Sequence, residues 1–569
     1  MIDPSIVDAL PHRRDFLRYF AGIGLGGTLL PGVLWAQAAQ GEEITPETIA
    51  CAEKISGISL EPEQRELIAQ DLMEQRKSAE RIREVPLPNQ VSPALLFTPL
   101  LPGMSPPAAA RSARTVRSRV AVRERPGSDE ELAFAPVTVL SELVRRRKVT
   151  SRELTGVYLE RIRRLDPILH AVITITEERA LRQAAAADEE ISRGRYRGPL
   201  HGIPWGAKDL LAVAGYPTTW GTEPYREQRI DEDAEVVRRL DQAGAVLVAK
   251  LTLGELAWGD VWFGEMTRNP WKPEQGSSGS SAGPGSATAA GMVAFAIGSE
   301  TLGSISSPAT RNGVTGLRPT FGRVPRTGAM ALSWSMDKLG PMCRSVEDCA
   351  LVFDAIQGPD GHDLSVHAAP FVWDARLAPR ELRIGYFRDA FAREEKDYPS
   401  KPFDLQALED LRRVGANLIP LEIPEMPYGA MTLILSAEGG AAFEELTRTG
   451  GVDRMKRQGR GSWPTVFRAA RFISAVDYIN ANRVRTLAMQ RWAELFGEVD
   501  VIVAPTSSAQ LTATNLTGHP AVIVPNGFRE DGTPVSITFI GKLFGEAELL
   551  AVAHAYQQTT GYHLRHPEV

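Results

Sequence analysis

Residues 269–320 read NPWKPEQGSSGSSAGPGSATAAGMVAFAIGSETLGSISSPATRNGVTGLRPT and contain the features that decide the fold. A Gly/Ser-rich run at 269–291 leads through small residues into the apolar run VAFAIG at 293–298. A short apolar run bounded by turn-forming segments is typical of a buried strand. We therefore predict an ordered loop over a helix start, then a buried strand; a flexible linker is the alternative for the loop.

The predicted strand is followed by the turn ETLGS at residues 300–304. A strand that ends in a glycine-containing turn can expose a serine hydroxyl together with several backbone N–H groups, which a nucleophile with an oxyanion hole requires. Ser304 is thus a candidate nucleophile, although a single serine is more often solvated or a helix cap. A nucleotide-binding loop would need a GK[ST] ending, which the Gly/Ser-rich run lacks.

Lys208 lies in the segment GIPWGAKDLLAVAGYPTTWGT at 202–222, among small and apolar residues and next to Asp209. Burial lowers the pKa of a lysine and so brings it into the range of a useful base. The structural alternative for this lysine is a buried salt bridge.

Other segments extend this pattern along the chain. Apolar runs at 245–250 and 499–507 predict further buried strands, which alternate with helical stretches. The capping box TSRE at 150–153 predicts one helix start, and Thr45 followed by Pro46 predicts another. We predict an α/β fold in which helices cover a central sheet.

The first 38 residues predict an export signal. Residues 12–40 combine Arg13-Arg14, an apolar glycine-rich stretch and the small-x-small site AQA at 36–38. This pattern resembles a bacterial twin-arginine signal. The apolar stretch is shorter than the roughly 20 residues of a membrane-spanning helix, which disfavours the alternative of an uncleaved anchor. We expect a periplasmic or secreted protein that meets the membrane only transiently during export.

The rest of the chain divides into three predicted parts. Residues 39–103 form a helical extension, residues 104–130 an Arg/Pro/Ala-rich linker, and residues 131–569 the main domain. A basic recognition tail is the alternative interpretation of the linker.

The composition excludes several classes of protein. Hydrophobic residues make up 43% and charged residues 24%, as in ordinary globular proteins, and the net charge of −6 lacks the basic excess of a nucleic-acid-binding protein. Three cysteines are too few for a disulfide framework, and we expect Cys343 and Cys349 to be buried thiols. The sequence contains no metal-ligand spacing and no cofactor motif, so we expect neither group.

Together these segments resemble the amidase signature family from about residue 134 to the C-terminus. The hallmark of that family is a Gly/Ser-rich stretch ending in a nucleophilic serine, with a second serine held by a cis peptide and a lysine upstream. The nucleophile falls on Ser304 in LGSISSPA, the second serine on Ser280 in GSSAGPGS, and the lysine on Lys208 in GAKD. The resemblance implies a large mixed sheet with helices on both faces, and residues 42–103 resemble an N-terminal helical extension of some members.

The resemblance also implies a mechanism. Neutral Lys208 takes a proton from Ser280, which takes one from Ser304, and Ser304 attacks the amide carbonyl. The oxyanion is held by backbone N–H groups of Thr301, Leu302, Gly303 and Ser304. The relay protonates the leaving amine, and water then hydrolyses the acyl-enzyme.

This sequence departs from the family pattern at four positions. Leu302 replaces the first of two glycines before the nucleophile, and Ser306 stands where an arginine is common. The missing arginine disfavours small acidic substrates, because an arginine there can bind a free carboxylate. Glu300 replaces a usual aspartate in a supporting role, and Thr538 replaces a frequent glutamine.

The expected activity is the hydrolysis of carboxylic amides, with esters or carbamates as further substrates and no cofactor. The expected partner is a small-molecule amide, and a homodimer is expected from the frequency of that state among proteins. One alternative is the glutamine-hydrolysing subunit of a tRNA amidotransferase, which works in the cytosol. Another is an inactive binding protein on the same fold, which the intact Lys208, Ser280 and Ser304 disfavour.

Overall fold

The computed structural model describes residues 44–56, 59–85, 88–89, 91, 95–108, 115–122 and 124–569. The predicted export signal at 1–38 lies outside these residues. The chain divides into two compact units, residues 1–88 and residues 89–569. Among the helices of the described ranges, none has the length and apolar character that crossing a membrane requires.

The first unit contains two helices, α1 (Pro46–Ser56) and α2 (Pro62–Arg83). Helix α1 begins as predicted, because the Thr45 hydroxyl accepts a hydrogen bond from the Thr48 amide at 3.3 Å. The two helices are joined by a bidentate ion pair in which Arg65 Nε lies 2.6 Å and Nη2 lies 3.0 Å from the Glu53 carboxylate.

The second unit is built on one mixed sheet of eleven strands in the order β1-β3-β2-β6-β8-β7-β12-β13-β11-β9-β10, and β4 and β5 form a separate pair. Pairing is parallel for β3-β2-β6 and for β11-β9-β10, and antiparallel elsewhere. The strands are β1 (Val172–Ile175), β2 (Pro204–Lys208), β3 (Val246–Leu251), β4 (Arg268–Asn269), β5 (Lys272–Gly276), β6 (Phe295–Glu300), β7 (Thr315–Arg318), β8 (Lys338–Cys343), β9 (Ile384–Phe387), β10 (Leu418–Leu421), β11 (Val501–Pro505), β12 (Ala521–Phe528) and β13 (Pro534–Gly541).

Helices cover this sheet, and the predicted α/β class is confirmed. Every residue of β2, β3 and β6 is buried, as expected for strands whose two faces are both packed. The helices are α3 (Asp129–Phe134), α4 (Val137–Arg145), α5 (Ser151–Leu169), α6 (Glu177–Ser192), α7 (Glu235–Gln242), α8 (Ala282–Ala289), α9 (Ser306–Asn312), α10 (Val346–Ile356), α11 (Arg388–Ala392), α12 (Lys401–Arg413), α13 (Tyr428–Met431), α14 (Leu433–Ala442), α15 (Glu444–Arg448), α16 (Trp463–Ala470), α17 (Ala475–Glu498), α18 (Gln510–Thr517) and α19 (Glu546–Thr560).

The predicted elements lie close to their expected positions. The apolar runs at 245–250, 293–298 and 499–507 become β3, β6 and β11. Helix α5 starts at its predicted cap, since Thr150 Oγ1 accepts a hydrogen bond from the Glu153 amide at 3.0 Å. Cys343 and Cys349 are free and buried, as expected.

Part of the predicted linker, residues 115–122, is bonded to other segments of the second unit. Val116 forms a parallel bridge with Asp374, and its amide donates to the Trp373 carbonyl at 2.7 Å. The Ser118 amide donates to the Glu347 carboxylate at 2.8 Å. These bonds give residues 115–122 a defined course over the domain.

The pairing of β2 with β6 determines where the candidate site forms. Trp205 pairs with Phe295 and Ala207 pairs with Ile297 in parallel register. Because parallel strands end at the same edge of a sheet, the residues that follow these pairs come together there. Lys208, the last residue of β2, therefore lies beside the end of β6.

Candidate active site

Lys208 lies at the end of β2 in a nest of three serine hydroxyls. Its side chain is fully buried, and Nζ lies 2.8 Å from Ser280 Oγ, 3.0 Å from Ser281 Oγ and 2.8 Å from Ser299 Oγ. Ser299 comes from β6, whereas Ser280 and Ser281 precede α8. The structure thus brings predicted residues Lys208 and Ser280 into direct contact and adds two serines that we did not predict.

The surroundings of Lys208 favour the neutral amine. Burial moves its pKa well below the usual value, and the more distant carboxylates of Asp337 and Glu300 oppose that shift only in part. Among the residues that the structure describes, the hydrogen-bond partners of Nζ are neutral hydroxyl oxygens and no carboxylate forms an ion pair with it. Lys208 therefore has the properties of a base.

Asp209 is paired with a different lysine. Its Oδ1 lies 2.6 Å from Lys250 Nζ on the neighbouring strand β3, with both side chains fully buried. Its Oδ2 accepts hydrogen bonds from the amide and hydroxyl of Thr219 at 2.8 and 2.5 Å. The buried salt bridge with Asp209, the structural alternative for Lys208, is thus formed by Lys250 instead.

The two buried lysines are expected to contribute differently to stability. The Lys250→Met variant is expected to lose about 3 kcal/mol of unfolding free energy, because it leaves the Asp209 carboxylate buried without its cation. The Lys208→Met variant is the matched control and should lose less stability, because it leaves buried hydroxyl groups without a partner but no charge. Denaturant unfolding of both variants measures the difference, and equal losses would contradict this division of roles.

The Gly/Ser-rich run is an ordered loop, and the flexible-linker alternative is wrong. The peptide bond between Gly279 and Ser280 is cis, as the family resemblance implied. A Cβ at Gly279 would lie 1.8 Å from the Gly259 carbonyl oxygen, so only glycine fits this close backbone approach. The Ser278 amide donates to Asp260 Oδ2 at 3.0 Å, which ties the loop to the preceding segment.

Ser304 lies in the turn between β6 and α9 and is partly exposed. Its carbonyl accepts a hydrogen bond from the Ser281 amide at 3.1 Å, which holds the turn against the residue next to Ser280. Gly303 has φ +89°, in the left-handed region that favours glycine. Within the described part of the chain, the N–H groups of Leu302, Gly303 and Ser304 donate to no protein acceptor. These donors are therefore available to an oxyanion.

Glu300 supports the turn from below. Its Oε2 accepts hydrogen bonds from the amides of Ile305 and Ser306 at 2.9 and 2.8 Å, and its Oε1 lies 2.8 Å from both Arg318 Nη1 and Asn515 Nδ2. Burial alone would raise its pKa, but the Arg318 guanidinium and the hydrogen bonds lower the pKa to about 2. The supporting role expected for Glu300 thus has a physical basis, because an ionised carboxylate anchors the start of α9.

This buried carboxylate predicts a pH-dependent contribution to stability. A pKa that falls from 4.5 to about 2 on folding stabilises the folded protein by about 3 kcal/mol above pH 4.5. Since the folded-state pKa is the lower one, this stabilisation is lost as the pH falls from 4.5 towards 2. The Glu300→Gln variant should be less stable at pH 7 by about that amount, and its deficit should shrink on acidification. A constant deficit in unfolding free energy from pH 7 to pH 3 would contradict the assignment.

Two further departures from the family pattern, Ser306 and Thr538, are buried like Glu300. Ser306 is 2% exposed, and its hydroxyl donates to Glu300 Oε2 at 2.8 Å. Thr538 is also 2% exposed, and its hydroxyl is 2.8 Å from that of Thr506. Ser306 therefore completes the support under the turn instead of lining a substrate pocket.

Gly303 gives a test of the turn geometry. In the Gly303→Ala variant the new Cβ would meet only Leu511 Cδ2 at 3.5 Å, so the left-handed backbone is disfavoured without a clash. We expect turnover to fall about 100-fold, the effect of displacing one oxyanion donor. Gly194→Ala is the matched control, because Gly194 has φ +82° and open space around it. Equal turnover in both variants would contradict the role of the turn.

Ser281 and Ser299 are the site residues that sequence reasoning missed. Ser281 Oγ donates to the Ser299 carbonyl and accepts from the Ser299 amide, both at 3.1 Å. Ser281 could have been suspected because it follows Ser280 directly in the sequence. Ser299 could have been suspected because it lies near the end of β6, the strand that pairs with β2. Neither signal identifies a contact with Lys208 until the strand order is known.

Comparison with known proteins agrees with this geometry. The profile of the family described as Amidase matches residues 153–514. The chain belongs to the amidase family. The match contains Lys208, Ser280 and Ser304, and it begins after the N-terminal helices and the predicted linker.

Other members of the amidase family resemble the chain over most of their length. One Glutamyl-tRNA(Gln) amidotransferase subunit from Thermosynechococcus vestitus is 34% identical over 487 residues, which cover 76% of this chain and all of the relative. The corresponding subunit from Roseiflexus castenholzii is 36% identical over 477 residues, covering 75% of this chain and 96% of the relative.

Solved structures of amidases share the fold. The peptide amidase from Stenotrophomonas maltophilia is 33% identical, with a TM-score of 0.67, and the alignment covers 76% of this chain and 98% of that one. An amidase family protein from Bacillus anthracis is 26% identical, with a TM-score of 0.69, covering 78% and 94% of the two chains. The fold predicted from the resemblance, a large mixed sheet with covering helices, is confirmed.

Proposed function

We propose that this amidase-family hydrolase cleaves carboxylic amide bonds through an acyl-enzyme on Ser304, with Lys208 and Ser280 as the proton relay. The observation that carries the proposal is the 2.8 Å contact between the buried Lys208 amine and Ser280 Oγ. A second observation supports the proposal: the Ser281 amide donates to the Ser304 carbonyl at 3.1 Å, so the turn bearing Ser304 is bonded to the residue that follows Ser280.

The hydrogen bonds around Lys208 are consistent with a neutral amine acting as base. A neutral amine has two N–H donors and one lone pair, so it can donate to two of its three hydroxyl neighbours and accept from the third. Ser281 uses its own proton on the Ser299 carbonyl and must therefore accept from the amine. One of the remaining hydroxyls, Ser280 or Ser299, can donate to the lone pair, and the proposed relay assigns this role to Ser280.

The first half of the reaction follows from this arrangement. Lys208 takes the Ser280 proton as Ser280 takes the proton of Ser304, and the Ser304 oxygen forms a bond to the carbonyl carbon. The developing oxyanion is stabilised by the backbone N–H groups of the turn at residues 301–304. The proton then returns through Ser280 to the amide nitrogen, so the carbon–nitrogen bond breaks with a neutral amine as leaving group.

The second half releases the acid. Water replaces the amine, and the relay accepts a proton from it as the water oxygen attacks the acyl carbon. The ester bond to Ser304 breaks, and the relay returns the proton to the serine oxygen. Esters and carbamates would follow the same course, because their carbonyl groups form the same tetrahedral intermediate.

Covalent labelling tests the nucleophile directly. We expect a fluorophosphonate probe to modify the folded protein at Ser304, as located by peptide mass spectrometry, because an activated serine attacks phosphorus readily. Ser192→Ala is the matched control, since Ser192 is exposed at the end of α6, where its hydroxyl donates to the Glu189 carbonyl, and its loss should not affect labelling. A folded protein that is not labelled would contradict the hydrolase proposal and favour an inactive binding protein.

A second candidate is suggested by the named relatives. Subunits of Glutamyl-tRNA(Gln) amidotransferases match this chain over almost their whole length. Release of ammonia from glutamine, compared with release from an uncharged primary amide, separates the two functions. Hydrolysis that is confined to glutamine would favour the amidotransferase function.

We also propose that the protein is exported through its twin-arginine signal. Support comes from the sequence of residues 12–40 alone. The mature N-terminus is expected near Ala39, which N-terminal sequencing of periplasmic material would establish. A periplasmic protein that still begins at Met1 would contradict cleavage, and a wholly cytosolic protein would contradict export.

A further inference from the structure

A cavity of about 310 Å³ reaches the candidate site from the side of residues 95–97. Ser299 and Thr301, at the end of β6, form its inner wall. Ser299 Oγ lies 2.8 Å from Lys208 Nζ, so a molecule in this cavity would be one side chain away from the base. The outer wall includes Leu95, Leu96 and Phe97, which precede the part of the chain that matches the amidase family.

The segment at residues 95–99 is fixed to the domain at one end. The Phe97 ring packs edge-on against Phe321 with centroids 5.0 Å apart, and the Arg485 guanidinium lies 3.4 Å from its centroid. The Thr98 hydroxyl is 3.0 Å from His367 Nε2, and Pro99 is buried. These contacts hold the neighbouring leucines at the cavity.

A second attachment lies before this segment. Asn89 Nδ2 donates to the Ala331 carbonyl at 2.8 Å, and the Ala331 amide donates to Asn89 Oδ1 at 2.7 Å. Ala331 belongs to the cavity wall, whereas Asn89 does not. Asn89 thus positions the chain without lining the cavity.

Leu95 and Leu96 are 75% and 58% exposed although they line a cavity. Two adjacent exposed leucines leave apolar surface in water, which is unfavourable unless a ligand covers it. Leu210, Met330 and Trp334 add apolar surface to the same wall. The lining of the cavity therefore favours an apolar group of a ligand.

The charges in the wall disfavour an anion. Arg326 is bound to Asp363, with Nε 2.9 Å from Oδ2, so its charge is neutralised by the protein. Asp337 lies at the inner end and accepts hydrogen bonds from the Thr301 hydroxyl and the Leu332 amide. Glu232 is exposed at the cavity and adds a further negative charge. A carboxylate ligand would meet repulsion here.

We propose that Leu95 and Leu96 are specificity-determining residues that make this enzyme select amides carrying an uncharged apolar group of about six to ten carbons. The inference rests on the proposed amide hydrolysis at Ser304. The volume of the cavity, about 310 Å³, is at the lower end of the range for small-molecule sites and suits one such group.

The test compares substrate series with wild-type and variant proteins. Anilides with acetyl, butyryl and octanoyl groups carry the bulk on the acyl side, and N-methyl and N-hexyl acetamides carry it on the amine side. Burying one methylene corresponds to about a fourfold gain in kcat/KM, so the wild-type protein should prefer the longest member of one series by at least about 30-fold. If kcat/KM rises with chain length in the anilide series, the cavity accepts the acyl side of the amide. If it rises in the acetamide series, the cavity accepts the amine side.

The double variant Leu95→Ser/Leu96→Ser should lose at least about fivefold of this preference, measured as the ratio of kcat/KM for the longest amide to kcat/KM for the shortest. Asn89→Ala should reduce the preference in the same direction, because it removes the attachment to Ala331 without removing a side chain that lines the cavity. Leu487→Ser and Leu564→Ser are matched controls, since both leucines are exposed, at 54% and 67%, and lie outside the cavity. A preference that is unchanged in the double variant would overturn the inference.

A binding measurement separates failure of this inference from failure of the proposed function. Calorimetric titration of the Ser304→Ala protein with octanamide and acetamide requires no catalysis. Tighter binding of octanamide, reduced in the Leu95→Ser/Leu96→Ser background, supports the inference even if no substrate is turned over. Equal affinity for octanamide and acetamide would overturn the inference about Leu95 and Leu96. In that case, labelling of Ser304 in the wild-type protein would still support the proposed hydrolase function.

Discussion

Replacing Ser304 by alanine is expected to lower the rate of amide hydrolysis by about 10⁵-fold with little effect on stability. The loss is large because the serine oxygen forms the covalent bond, and the oxyanion donors that remain provide only a small part of the acceleration. The side chain is partly exposed at the turn, so its removal leaves no large cavity. Steady-state hydrolysis of a neutral anilide, with thermal unfolding as a check on the fold, measures both effects.

The control for this prediction is Ser192→Ala, which removes an exposed hydroxyl at the end of α6. Its turnover should remain within about twofold of the wild-type value, as expected for a surface change away from the chemistry. If the Ser304→Ala protein kept more than a few per cent of the wild-type rate, another residue would have to be the nucleophile.

Replacing Lys208 by methionine is expected to lower kcat by about 10³-fold and to flatten the pH profile. The wild-type rate should rise with pH and then level off, because Lys208 acts as base only in its neutral form. Burial lowers the pKa of this amine well below the ordinary value, so the plateau should begin at a lower pH than an exposed lysine would give. Initial rates at saturating substrate across the pH range measure the effect.

Lys148→Met is the matched control, because Lys148 is a surface residue paired with Glu124. This variant should keep both the rate and the shape of the profile. A Lys208→Met protein with a reduced rate but the wild-type pH dependence would show that another group supplies the observed titration. If the rate no longer rises with pH in the Lys208→Met variant but still does so in the Lys148→Met variant, the titrating group is the Lys208 amine.

Much of the fold could be predicted because its strands are buried on both faces. Strands β3, β6 and β11 arise from continuous apolar runs, which are visible without an alignment. The caps of α1 and α5 could be predicted as well, since capping depends on neighbouring residues alone. The order of the eleven strands could not be predicted from these local signals. The family resemblance implied only a large mixed sheet, without the order of its strands.

The candidate site was predicted in part. Lys208, Ser280 and Ser304 were identified by resemblance, and the structure brings the first two into contact. The orientation of Ser306 was not foreseen, because a missing arginine suggested a change in the substrate pocket. The Ser306 hydroxyl instead donates a hydrogen bond to the Glu300 carboxylate. That carboxylate is held in position by Arg318, which is distant from Ser306 in the sequence.

The sequence by itself determined the α/β class, the buried strands and the serine-bearing turn after β6, because each depends on residues that are close along the chain. Only the tertiary structure decided which side chains surround Lys208, since its partners Ser280 and Ser299 lie 72 and 91 residues away. The parallel pairing of β2 with β6 brings them together at one sheet edge. The same long-range packing places Leu95 and Leu96 at the cavity beside the base, where no local pattern in the sequence marks them.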